Sequence, residues 1–467
     1  MRLDGGPAAC DPLLTMRSTL ILAATIAGCA SPATATDDAP AEVGPRYISI
    51  GADALETARA VAAAHGEALD VIDAEGDIAM VEFDAANFGA LSEQLHERFH
   101  RCGGFMLHES IDDARASLHA HADAHVGAAI DYTLDHGEAV RAVLPALDQS
   151  LLLETIRELS TQQNRYYRSP TGAAASVWLA QRWRSFTTRP DVSVELFDHG
   201  YEQKSVVLTI PGGALANEVV VLGAHLDSIS LGRSEGDAPG ADDDASGIAT
   251  LTEVARVLLA SDFRPARTVQ FIAYAAEEVG LRGSQDIVRT YKKRGVNVVG
   301  VIQLDMTNYQ GSEKDIWLMK DFTNAAQNAF VTQLIDTYVG ATWGLDACGY
   351  ACSDHAPWYR AGVPASMPFE SRMAQRNRSI HTARDTLEMS GNNAAHAIKF
   401  ARLAAAFAVE LGKGEIGPPR RGPVASIASA PSKTSFGAWQ LIALAAGVLA
   451  GLAGWWVTRR AARIAGW

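Results

Sequence analysis

Three consecutive aspartates, Asp242, Asp243 and Asp244, stand in the stretch ADDDASG at 241–247. Adjacent carboxylates repel one another, and the residues that follow, SGIATLTEVARVLLA, have the apolar spacing of a helix. An isolated acidic run of this kind is ordinarily a solvated turn that caps its helix. Here the neighbours argue for chemistry. The apolar run EVVVLGA leads directly into His225-Leu226-Asp227, TVQFIAYAA into Glu277-Glu278, and VVGVIQL into Asp305. A late segment, SIHTARDT at 379–386, adds His381. Imidazole and carboxylate ligands without thiolates suit zinc in a hydrolytic site. A single zinc needs only three protein ligands; two histidines and at least three carboxylates are enough for two metals that share a bridging carboxylate. Two metals about 3.5–4 Å apart can clamp a substrate carbonyl and a bridging hydroxide together. Acid at 242–244 is tolerable if dications neutralise it.

Such residues need a frame. From about 131 to 413 the pattern alternates helix and strand. LLLETIRELST and GAAASVWLAQRWRSF are amphipathic helices, while KSVVLTI, EVVVLGA, TVQFIAYAA and VVGVIQL are short runs rich in β-branched residues. Runs apolar on both faces suit a sheet covered by crossover helices. The expected fold is therefore α/β, a mostly parallel central sheet flanked by helices. Open parallel sheets bind ligands outside the carboxyl ends of their strands, where His225, Glu277, Glu278 and Asp305 fall. A smaller α/β unit precedes this domain over 44–109, with strands RYISIG and IAMVEF and helices ADALETARAVAAAHG and FGALSEQLHERFH. Residues 110–130 read as a polar, cleavable connector, in which His119, His121 and His125, with the earlier His108, are read as solvated.

The chain ends point to export. MRSTLILAATIAGCAS at 16–31 has the layout of a secretory signal, with Met16 as the start and 1–29 as the signal segment. IAGC at 26–29 also resembles a lipobox that would lipidate Cys29; the alternative is a later cut near ATAT at 33–36. Residues 30–43 read as a linker, and 414–435 as a Pro/Ser-rich stalk. FGAWQLIALAAGVLAGLAGWWV at 436–457 carries no charge over 22 residues, and RRAAR follows it. That tail, taken over 436–463, is either a transmembrane helix with the bulk of the protein outside or a sorting signal. A net charge of -14 argues against a nucleic-acid partner. Five cysteines in 467 residues exclude a disulfide scaffold, although Cys348 and Cys352 are close enough to form one small bridge in an oxidising compartment.

Seven segments, GAHLDS, PGADDDASG, AYAAEEVGLRGSQD, QLDMTNY, CGYACSDHAPW, MPFES and IHTARDT, closely resemble the secreted bacterial leucyl aminopeptidases with co-catalytic zinc, and they occur in that family's order across about 131–413. The 44–109 unit resembles the amino-terminal pro-region of some members. The resemblance implies two Zn2+ per catalytic domain, bridged by Asp243. Glu278 and His381 complete one metal, and His225 and Asp305 the other. Glu277 is then the base that takes a proton from the zinc-bridging water. Asp227 holds the His225 imidazole, and Tyr350 hydrogen-bonds the developing oxyanion. The Asp243–Asp244 bond resembles the family's cis peptide. Met306, Met367, Phe369 and Ile380 fall where the family lines an apolar pocket for the substrate's first side chain, while Met373 and Arg376 stand where relatives often carry aromatics. A Cys348–Cys352 disulfide would hold Tyr350 at its tip. The implied activity is hydrolysis of a hydrophobic, leucine-like residue from the free N-terminus of peptides, by a monomer whose own pro-domain acts as inhibitor or chaperone.

Overall fold

The computed structural model describes residues 44–417 apart from 100, 102, 120–129 and 232–235. The signal, linker and Cys29, the histidines His121 and His125, and the apolar tail lie outside the described residues. Among the described residues no helix is long and apolar enough to cross a membrane.

The small amino-terminal layer runs β1 (Pro45–Gly51), α1 (Leu55–Ala64), β2 (Val71–Glu75), β3 (Ile78–Asp84), α2 (Phe88–Phe99), β4 (Phe105–His108) and α3 (Ile111–Leu118). Its strands form an antiparallel sheet in the order β2-β3-β1-β4. Ile48 and Ile50 of β1 point to one face and join Leu91 and Leu95 of α2. The sequence reading placed a connector from 110 onward. Its first turns are instead α3, capped by the Ser110 hydroxyl, which accepts from Asp113 N at 3.1 Å, with Ala114 and Leu118 packed against Met80. Nor is His108 solvated: it is buried, with Nε2 3.0 Å from Ser49 Oγ. His119 is exposed and sits between Asp73 and Glu75.

The large domain begins with α4 (Gly137–Val143), α5 (Gln149–Ser160) and α6 (Pro170–Ser185), followed by β5 (Ser193–Phe197), β6 (Ser205–Ile210) and β7 (Leu215–His225). Then come α7 (Ala245–Ala260), β8 (Phe263–Pro265), β9 (Arg267–Tyr274), α8 (Arg282–Arg294), β10 (Asn297–Gln303) and β11 (Ile316–Met319). The remainder is α9 (Ala325–Leu334), β12 (Trp343–Asp346), α10 (His355–Arg360), β13 (Ala365–Ser366), β14 (Pro368–Phe369), α11 (Ala397–Gly412) and β15 (Gly414–Ile416). The central sheet has the order β13-β10-β7-β9-β6-β5. Its β13, β10, β7 and β9 are mutually parallel, as expected. KSVVLTI departs from that expectation: β6 pairs antiparallel with both β9 and β5. The sheet is thus parallel where it carries the site and antiparallel at the far edge. The residues read as the start of the stalk form β15, which pairs with β8 and closes the domain.

Both faces of the sheet are covered. Val220, Leu222 and Ala224 of β7 face a core built with α5, α6, α7 and α11, while the alternating Val219 and Val221 face α8 and Trp358 of α10. This explains why β7 reads as continuous apolar sequence rather than as alternation.

Candidate metal centre

His225 is the last residue of β7, and Asp305 follows the neighbouring β10 by two residues. Glu277 and Glu278 lie in the turn after β9, where Ala276 takes a left-handed φ of 55°. Asp244 caps α7: its Oδ1 accepts from Gly247 N at 2.9 Å and Met306 N at 3.0 Å, and its Oδ2 from His225 N at 3.1 Å. One carboxylate thereby ties the helix start to the ends of both strands. Gly247 is required there, because a Cβ would lie 1.9 Å from Leu304 O. The Asp243–Asp244 peptide is cis, as the sequence reading expected. His381, with φ 57°, comes from a late loop whose carbonyl accepts from Leu231 N at 3.1 Å.

These elements bring all five expected ligands together as two groups that share Asp243. His225, Asp243 and Asp305 form one, and Asp243, Glu278 and His381 the other, with the ligand atoms of each group within 4.8 Å of one another. His225 Nε2 lies 2.9 Å from Asp243 Oδ1 and 3.6 Å from Asp305 Oδ1. His381 Nε2 lies 3.2 Å from Asp243 Oδ2 and 2.7 Å from Glu278 Oε2. Despite that approach, neither Glu278 oxygen nor His381 Nε2 has a partner in hydrogen-bonding geometry, and the same holds for both Asp305 oxygens. Buried polar atoms that converge without bonding one another fit a cation between them.

The electrostatics agree. Burial opposes charge on His225, but the carboxylates of Asp305 and Glu277 overcome it and hold its pKa well above the usual imidazole range. Burial likewise works against a charged His381, yet Glu278 and Asp243 hold it up at about 10. Burial pushes Glu278 up to about 7, with the Asp243 charge adding to the effect. Asp243 resists its burial: the His225 and His381 imidazoles beside it keep it far below the usual carboxylate range. The pocket demands positive charge, which protons or dications can supply.

Supporting residues surround the ligands. Asp227 has a wider role than the sequence reading gave it. Its Oδ1 lies 3.5 Å from His225 Nδ1, while its two oxygens accept from Glu277 N at 3.0 Å and Glu278 N at 3.2 Å. It fixes the glutamate turn as much as the imidazole. Asp385 accepts from Asp243 N at 3.0 Å and from Asn377 Nδ2 at 3.0 Å, and Asn377 also donates to Asp242 Oδ2 at 3.1 Å. Arg165, fully buried, donates to Leu226 O at 2.9 Å, Pro239 O at 2.6 Å and Gly240 O at 3.0 Å, which pins both ends of the segment carrying the aspartate run. Glu277 has a buried Oε2 without a hydrogen-bond partner.

Cys348 and Cys352 form a disulfide with Tyr350 between them. Met306, Met367, Phe369 and Ile380 cluster with both cysteines and Tyr350, and Met373 packs against the cluster. Trp317 and Met319 of β11 belong to the same cluster and were not singled out from the sequence, because β11 reads as one more short apolar strand. Arg376 donates to Met373 O and, at 2.9 Å, to Phe99 O of the small layer. His355 is buried, with Nε2 3.2 Å from Asp321 O, away from the ligands. A third acidic group, Asp135, His136 and Glu410, is already engaged: Glu410 Oε2 accepts two backbone amides at 2.9 Å, and Lys413 Nζ pairs with Asp135 at 2.8 Å.

Residues 205–407 match the model of peptidase family M28. The chain is 38% identical over 286 residues to leucine aminopeptidase 1 of Uncinocarpus reesii (strain UAMH 1704), covering 58% of this chain and 71% of that protein. It is 36% identical over 297 residues to leucine aminopeptidase 1 of Coccidioides posadasii (strain C735), covering 60% of this chain and 76% of the relative. Both relatives are fungal, whereas the sequence resemblance pointed to bacterial enzymes. The LapA aminopeptidase of Legionella pneumophila superposes with a TM-score of 0.68 at 28% identity, over 80% of this chain and 100% of LapA. LapB from the same organism gives 0.67 at 28%, over 79% and 100%.

Proposed function

The chain belongs to peptidase family M28, and from that premise we propose a di-zinc leucyl aminopeptidase. It is a hydrolase and an exopeptidase that acts on peptide N-termini. The reading rests on one observation above all: two ligand triads share Asp243, and beside them Glu277 has a buried oxygen with no hydrogen-bond partner. Asp243, Glu278 and His381 would hold one zinc, and Asp243, His225 and Asp305 the other. When bound, the metals supply Lewis-acid stabilisation of charge on the scissile carbonyl oxygen and a nucleophile at neutral pH.

The protein's own residues do the rest. Glu277 is not needed as a ligand, so its Oε2 takes a proton from the attacking water and delivers it to the leaving amine nitrogen. Asp227 aims that carboxylate by holding the amide of its own residue. Tyr350, held at the tip of the disulfide loop, donates its hydroxyl to the developing oxyanion. Met306, Met367, Phe369 and Ile380 receive an apolar side chain, which favours leucine-like first residues. The disulfide suits an oxidising compartment, which supports export.

The test is zinc content and leucine p-nitroanilide hydrolysis by the chain after its amino-terminal layer has been cut away. We expect two zincs per chain and hydrolysis that a chelator abolishes. A fully active enzyme with one zinc would overturn the di-metal reading, and a two-zinc protein inert on all free N-termini would overturn the activity.

A further inference from the structure

The 44–118 layer lies directly on the ligands of one triad. The ring of His96, on α2, sits 4.9 Å from the ring of His381. The chain at Gly103 runs so close to Glu278 that a Cβ there would lie 3.2 Å from the Glu278 carbonyl oxygen. Leu107 N donates to Gly280 O at 3.3 Å, and Arg376 holds Phe99 O.

Arg101 occupies the middle of this contact. It is only 6% exposed. Its Nη2 reaches both oxygens of Asp53, at 2.9 and 2.7 Å. Its guanidinium carbon lies 4.8 Å from the ring centroid of Phe99 and 4.8 Å from that of Tyr350. Nη1 is buried without a hydrogen-bond partner. Burying a guanidinium is expensive, and here one carboxylate and two aromatic faces offset the cost. One of those faces belongs to the small layer and the other to the large domain. The Tyr350 contact is therefore made only while the two are docked.

We propose that Arg101 is the latch that keeps the uncut chain inactive: with its guanidinium fixed to Asp53 and laid on Tyr350, it closes the substrate entrance beside the Glu278–His381 triad. This deepens the aminopeptidase reading and rests on it for the role of Tyr350. Opening the latch gives up the Tyr350 face, while Asp53 and Phe99 travel with Arg101, so this contact favours the docked state and keeps the competent fraction small. Removing the guanidinium raises that fraction with no change to any group that acts on substrate.

The experiment uses the full chain with a specific protease site in place of 120–129, as wild type, Arg101→Ala and Arg101→Lys. Intact mass shows each to be uncut, and each is measured before and after cutting and removal of the small layer. Uncut wild type should run at least tenfold slower on leucine p-nitroanilide than its cut form. Uncut Arg101→Ala should recover roughly 10–30-fold, on the scale of a desolvated cation–π contact, and Arg101→Lys less, because an ammonium cannot lie flat on both rings. All cut forms should be equal. Hydrogen exchange supplies a readout independent of turnover: amides 348–352 should exchange faster in uncut Arg101→Ala while amides 48–50 and 79–81 of the small sheet stay protected. If those sheet amides also lose protection, Arg101→Lys becomes the deciding variant. The latch is overturned if the deciding variant is as slow as wild type with unchanged exchange at 348–352, or if uncut and cut wild type are equally fast. If every cut form carries two zincs and none is active, the aminopeptidase reading has failed instead, and the exchange at 348–352 alone decides the latch.

Discussion

The two ligand triads share an aspartate but are built differently. His225 and Asp305 come from the ends of neighbouring parallel strands, whose register is fixed by the ladder between β7 and β10. Glu278 and His381 come from a tight turn and a late loop, and the small layer covers that side through His96 and Gly103. One half of the site is thus made by the sheet alone. The other half is made by loops, aimed by Asp227 and Asp385 and screened by a second unit. The two sides of Asp243 are thus built by different means.

Removing what the halves share should have the largest effect. Asp243→Ala is expected to abolish activity and to lower zinc content at both positions, with no recovery in excess zinc; loss of a single zinc would mean that the triads are independent. Glu277→Ala should keep both zincs, since Glu277 belongs to neither triad, and lose roughly 10²–10⁴-fold in turnover. If that variant loses a zinc while Glu278→Ala keeps both, the roles of the two glutamates must be exchanged. Asp385→Asn should reach the centre through the Asp243 amide, weakening zinc by roughly 10–100-fold as measured by chelator competition, with activity restored by added metal. Unchanged zinc affinity would show that the Asp385 contact does not position the shared aspartate.

The smallest effect concerns the covering side. His108, buried within that layer, faces Asp113 and shares the Ser49 hydroxyl with Arg360 of the large domain. Burial lowers its pKa, Arg360 adds to the lowering, and Asp113 opposes it. A group whose folded pKa is depressed in this way favours the neutral imidazole. The folded state is therefore most favoured by this group above the ordinary value of about 6.5, and that contribution is lost as pH falls below it. We expect the melting temperature of the uncut chain to decline between pH 7 and 5, and His108→Gln to flatten that slope; an identical slope in the variant would remove His108 from the account.

Much of the sheet-built half was legible in the sequence, because strand ends in a parallel sheet deliver their next residues to one edge. His225, Glu277, Glu278 and Asp305 needed no more than that rule, whereas His381, in a late segment that follows no strand, was read into the set from its residue type and assigned to its metal by resemblance. The direction of β6 was not legible: a strand buried on both faces has the same apolar composition whichever way it runs. Helix α3 was hidden by its polar exposed face, with only Ala114 and Leu118 fully turned inward. Arg165 carries no local signal at all. It sits in QQNRYYRSP, and its importance arises only when the carbonyls of Leu226, Pro239 and Gly240 converge on it.

That convergence matters for engineering. Ser228 Oγ accepts from Arg165 N at 3.0 Å and donates to Ala238 O at 2.8 Å, Ala238 N donates to Gln163 O at 2.7 Å, and Asn164 Nδ2 donates to Gly236 O at 3.0 Å. The segment between them enters and leaves through one knot centred on a single guanidinium. Extra residues placed after Leu231 would pull on that knot and, through the Leu231 N–His381 O bond, on one of the ligands. Each doubling of such an insert adds only about 0.6 kcal/mol of closure entropy. Lengthening this stretch is therefore cheap in entropy but not neutral for the site, and a module spliced in there would be felt at the centre through His381.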